Sequence, residues 1–172
     1  MDEPPTESQQ YLRNYLNTHR AGASAGTALA RRIWHNNRSG PWASELKDIF
    51  VAIQVDKGVL DEIRSAAGVK GGRLSRVGAM VLERTSRLGH IAGYTPLIAI
   101  IELEALMSGV QARQRLWSAL RAATPFLSNL HAFDFPTLEL QAAEQLKTLG
   151  EIHTWTAARC FSVGGADRMR LP

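Results

Sequence analysis

Apolar residues recur at three- and four-residue spacing along nearly the whole chain, and no segment alternates with the two-residue period of a strand. That pattern puts one apolar stripe on each of a series of helices and offers no face for a sheet, so the chain must bury helix against helix. The spacing predicts five helices. The first covers about 8–37, with Leu12, Tyr15, Leu16, Ala23, Ala30 and Ile33 in line. The second covers 41–67, opened by Pro41 and closed by Gly68, with Leu46, Ile49, Phe50, Ile53, Leu60 and Ile63 as its stripe. A third, 73–88, sets Leu74, Val77, Val81 and Leu88 on one face. The fourth starts on Thr95 as N-cap and Pro96 in the first turn, and runs to 123. It is apolar nearly all the way round, which marks it as the buried centre. The fifth covers 137–161 through Leu138, Ala142, Leu146, Leu149 and Cys160. Phe126, Phe133 and Phe135, in the link before it, are expected to plug one end of the core.

At 172 residues the chain is the size of one domain. The expected division is a disordered tail over 1–8, a bundle over 9–162 and a loose tail over 163–172. The single cysteine, Cys160, excludes an internal disulfide and sits on an apolar stripe near no activating base. The start Met1-Asp2-Glu3-Pro4-Pro5 has neither the basic nor the apolar run of a secretory signal, and the longest apolar runs are too short to cross a membrane. The expected location is the cytoplasm. The net charge is +4, with arginine supplying most of the basic residues, and this bears on solubility and not on fold.

Polar residues on inner stripes carry the most information, because burying them is costly unless they are paired. His19 is in line with Leu12, Tyr15, Leu16 and Ala23. Asp56 interrupts the series Ile49, Ile53, Leu60, Ile63. Glu102 or Glu104 must find cover on the nearly all-apolar fourth helix, and His153 continues the series Ala142, Leu146, Leu149. With a rise of about 1.5 Å per residue, all four fall at mid-bundle. Carboxylates and imidazoles meeting there would suit a metal or proton-handling site, and hydrogen-bonded polar groups that set helix register would look the same.

The segments Tyr11-Leu-Arg-Asn-Tyr-Leu-Asn-Thr-His19-Arg-Ala-Gly-Ala23 and Tyr94-Thr-Pro-Leu-Ile-Ala-Ile-Ile-Glu102-Leu-Glu104-Ala-Leu resemble a group of uncharacterised bacterial ferritin-like helical proteins. The resemblance spans about 8–162. It implies an all-α, up-down-down-up four-helix bundle in which the helix over 73–88 is an added crossover helix. Di-iron members of that class carry Glu-x-x-His on two helices. This chain has none, and Glu151-Ile-His153 has the wrong spacing, so the fold carries over without the iron chemistry.

No nucleophile elbow, phosphate-binding loop or dinucleotide fingerprint is present. Gly22-x-x-x-Gly26, set among alanines, reads as a place where another helix packs closely. Trp34, Trp42, Trp117 and Trp155 read as core caps or an oligomer contact. The expectation is a non-enzymatic bundle without a cofactor, acting through protein–protein contacts as a homo-oligomer or on a protein partner. One alternative is metal binding through His19, Asp56, Glu102 and His153. Another is nucleic-acid binding through the Arg73, Arg76, Arg84 and Arg87 face.

Overall fold

The computed structural model describes residues 6–69 and 95–162. The helix expected over 73–88, with Arg73, Arg76, Arg84 and Arg87, lies outside the described residues. Within them the chain is all-helical, with four long helices: α1 (Glu7–Asn36), α2 (Ala43–Ala66), α3 (Pro96–Ala123) and α4 (Phe135–Phe161). None of these is long and apolar enough to cross a membrane.

Local chemistry sets each boundary. α1 begins one residue earlier than the apolar spacing suggests, because Thr6 and Gln9 form a reciprocal capping box. α2 ends where Gly68 takes a φ of 68°, a conformation that favours glycine. Thr95 caps α3 by accepting from the Ile98 N–H at 3.3 Å. Asp134 caps α4 in the same way through Thr137, so that helix starts at Phe135 and not at 137. Two short 3-10 turns, Thr124–Phe126 and Ser128–Leu130, join α3 to α4. There the Asn129 side chain donates to the Ala66 carbonyl at 2.6 Å, satisfying one free group at the end of α2.

α1 packs on α2 and α3, α3 packs on α4, and α2 closes the square with a lighter contact to α4. α3 runs antiparallel to α1. Arg32, near the end of α1, pairs with Glu102, near the start of α3, and lower down Thr18 and Ala112 face one shared cavity.

The core is split in two. An upper cluster centres on Leu29, Ile33, Ile49, Ile53, Leu103 and Leu149. A lower one centres on Leu16, Leu60, Leu116, Trp117, Leu130 and Phe135. Phe135 plugs the lower end as expected, while Phe126 stays 85% exposed. Between the fully buried members of the two clusters lie the stretches 17–28, 54–59 and 111–115 of α1, α2 and α3. Those stretches hold the features with chemical interest.

Candidate functional site

Asp56 sits at this seam, 4% exposed. A buried carboxylate needs partners, and two helices supply them. Arg113 of α3 places Nη2 3.1 Å from Asp56 Oδ2, and Gln145 of α4 reaches the same oxygen with Nε2 at 3.5 Å. Arg113 also donates to Gln145 Oε1, closing a three-way contact among α2, α3 and α4. Burial pushes the Asp56 carboxyl above its ordinary value, and Arg113 and Gln145 offset only part of that shift. Burial likewise lowers the Arg113 guanidinium, against the pull of Asp56. Arginine nonetheless keeps its proton at any physiological pH.

Beside this trio, along α1, α2 and α3, lies a cavity of about 270 Å³ that opens to solvent past the exposed Gly22, Ser108, Gly109 and Ala112. Its walls are small: Gly22, Ala25 and Gly26 on α1 face Ala105, Gly109 and Ala112 on α3. Leu29, Leu60 and Leu106 close it at depth, and Asp56 and Arg113 line it too. The expectation that Gly22 and Gly26 mark close helix packing is overturned. A Cβ added at Gly22, Gly26 or Gly109 would meet nothing within 4 Å. Bulky residues in the clusters above and below set the separation of α1 and α3, and the small residues between them leave a gap.

Glycine in a helix interior is destabilising by roughly 0.5–1 kcal/mol relative to alanine, and here no clash opposes the methyl group. Gly22→Ala, Gly26→Ala and Gly109→Ala should therefore each raise stability by about that amount in urea unfolding. A loss of stability in any of them would mean that α1 and α3 close on each other in solution.

The four inner polar residues do not converge. Asp56 and His19 line the same cavity. His19 lies edge-on to Tyr15, ring centroids 4.6 Å apart, and burial lowers its pKa, which favours the neutral imidazole. Glu102, 3% exposed, lies nearer the start of α3, beside the upper cluster, with Oε1 2.8 Å from Arg32 Nη2. Burial raises its pKa, and Arg32 offsets part of the rise. His153 is half-buried at the edge of the core, on α4, and contacts Glu104, Nε2 to Oε1 at 3.1 Å. Among the described residues no group of three or more His, Cys, Asp or Glu side chains is placed to hold a metal ion. Each buried carboxylate already faces a guanidinium, which opposes a second cation beside it. The partners that matter, Arg113, Arg32 and Gln145, were not among the residues singled out from the sequence.

Just below the cavity a second polar group ties α1 to α2. Asp61 receives Arg20 Nε at 2.8 Å, Lys57 Nζ at 3.3 Å and Arg64 Nη1 at 3.3 Å. Partial burial pushes Asp61 up, but the hydrogen bonds from Arg20 and Lys57 outweigh it and hold the carboxyl below its ordinary value. Arg64 Nη2 also donates to Asn17 at 2.8 Å. Comparison with known protein families, with curated proteins and with solved structures finds no match to this chain.

Proposed function

We propose that this chain is a non-enzymatic binding bundle of ferritin-like, up-down-down-up connectivity, and that the cavity between α1 and α3 holds a small, mostly apolar molecule. The connectivity is supported by the antiparallel approach of α3 to α1 and by the cyclic order in which the four helices touch. The di-iron set that such a bundle often carries does not fit these residues: arginines occupy the places beside Asp56 and Glu102 where metal would have to sit.

The cavity is the observation on which the ligand reading rests. The cavity opens to solvent past Gly22, Ser108, Gly109 and Ala112, and its floor of Leu29, Ile53, Leu60, Leu106 and Leu116 is apolar surface that a small molecule would cover. Benzene fills an engineered apolar cavity of roughly 150 Å³. By proportion, about 270 Å³ suits a molecule of roughly eleven non-hydrogen atoms. The space is too small for a helix, so a small molecule, and not a second copy of the chain, is the first occupant to test.

A ligand that binds only the folded state raises the melting temperature by mass action. Buffer saturated with naphthalene should raise the melting temperature of the native chain. It should leave that of Gly26→Leu, whose side chain would occupy the cavity, unchanged. An absence of any shift with naphthalene, cyclohexane and benzene alike would sink the reading.

A further inference from the structure

One side chain in the cavity wall changes its charge near neutral pH. Resting on the binding reading above, we propose that His19 couples the cavity to pH: its neutral imidazole admits an apolar ligand, and its protonated form opposes one.

His19 lines the cavity from α1, one turn before Gly22 at the mouth. It is half-buried, and its ring stands edge-on to Tyr15. No hydrogen bond or ion pair reaches it from the described residues. An imidazolium there carries a charge and two N–H donors, and only solvent entering from the mouth can satisfy them.

The charged groups that share the lining offer His19 no counter-ion. From α2, Asp56 is already committed to Arg113 of α3 and to Gln145 of α4. Lys57 of α2 and Arg113 are both cations, so an imidazolium would be the third positive charge on a wall with one carboxylate. Lys57 pairs with Asp61, which Arg20 and Arg64 also reach.

A small molecule lying over Leu29, Ile53, Leu60, Leu106 and Leu116 displaces the solvent beside His19. The neutral ring then gives up ordinary hydrogen bonds, whereas the imidazolium gives up the hydration of a charge, which costs far more. Proton and ligand therefore oppose each other, and the coupling is reciprocal: the proton lowers the affinity, and the ligand lowers the pKa of His19 by the same factor. Burial in the wall already holds His19 below the ordinary histidine value, which is the same effect at smaller scale. The affinity belongs to the deprotonated form. It is fully present above the ligand-free pKa of His19 and is lost as pH falls through that value, so the loss begins below about 6.5.

The test is an NMR titration of the full chain with naphthalene between about pH 5 and 7.5, with the His19 ring protons read in the same samples. The His19 signal is the one missing from His19→Gln. Each unit by which the ligand lowers the pKa of His19 corresponds to about tenfold in affinity at the acid end. The expected result is a constant affinity above about pH 6.5 and a fall of about threefold or more toward pH 5, with the His19 midpoint displaced downward by naphthalene. In His19→Gln the affinity should not vary across the range. Melting curves at each pH establish that both chains are folded. A pH dependence that persists in His19→Gln would overturn the proposal in favour of Asp56, whose carboxyl burial raises. A native affinity that is the same at every pH, or a His19 midpoint that naphthalene does not move, would overturn it and leave the cavity reading standing. If naphthalene binds at no pH, the cavity reading and this inference fall together.

Discussion

Asp56→Leu alone should cost the fold about 3–5 kcal/mol, while Asp56→Leu/Arg113→Met should cost far less than the sum of its parts. The single change leaves the Arg113 guanidinium, with a side chain only 12% exposed, facing an aliphatic group where its carboxylate had been. Arginine cannot escape by losing its proton, so the charge stays buried and unpaired. The converse variant behaves differently. In Arg113→Met the stranded group is a carboxyl, which can take up a proton. Its folded pKa, already raised by burial, should rise further once the guanidinium is gone. A folded pKa above the unfolded one means that the native state binds the extra proton. That contribution is fully present below the ordinary aspartate value and is lost as pH rises through the folded value. Arg113→Met should therefore lie closest to the native chain in mildly acidic buffer and fall behind as the pH approaches neutrality. Asp56→Leu should show no such trend. Urea unfolding of the native chain and three variants across this range tests both statements. Additive single-variant losses would show that the pair is not coupled.

The half of the site that was legible in the sequence is the half written in periodicity. Asp56 falls on the stripe of α2 at heptad spacing, so its burial follows from residue numbers alone, whereas the apolar surround of α3 points to Glu102 or Glu104 without choosing between them, and Glu102 is the buried one. Their partners were hidden because pairing between helices depends on axial register. A slip of one turn moves a side chain by about 5.4 Å, more than the reach of an ion pair. Register here depends on the capped turns around Asn129 and Asp134 and on how the two clusters interlock. α4 shows the same limit in angle. The stripe Ala142, Leu146, Leu149 can be continued through His153, but the buried series is Ala142, Gln145, Leu149, Ile152. A rotation of about 100°, one residue, carried Gln145 inward and left His153 half-buried at the edge of the core.

The cavity was hidden for a different reason. Glycine and alanine on a helix face permit close approach but do not compel it. Whether the space is filled depends on the large residues in adjacent layers. In this chain Leu16, Leu116 and Trp117 below and Leu29, Ile33 and Leu103 above support α1 and α3 on either side of the small-residue stretch. The capping box at Thr6, by contrast, was fully legible: Thr6-Glu7-Ser8-Gln9 has the required spacing. The acidic, proline-rich residues before it drew the boundary too late.

Trp117 carries the second large expected effect. It is fully buried in the lower cluster, with its ring tilted over Phe135 at a centroid separation of 6.5 Å. Trp117→Ala should cost about 3–5 kcal/mol, since it removes the largest buried side chain and leaves a void that its neighbours fill only in part. Trp117→Phe separates packing from polarity. The indole N–H is buried with no acceptor among the described residues, so the native residue already bears the cost of desolvating that donor. Phenylalanine gives up some volume, which costs stability, and also removes that donor, which restores some. Its net loss should be about 1–1.5 kcal/mol, well under half that of alanine. A loss in Trp117→Phe well above this range would mean that the N–H is bonded in solution. Because this cluster helps to hold α1 and α3 apart, the two variants should also differ at the cavity. Trp117→Phe should bind naphthalene as the native chain does, whereas in Trp117→Ala the helices can settle together and binding should weaken. Retention of full affinity in a folded Trp117→Ala would show that the cavity is kept open from the upper cluster alone.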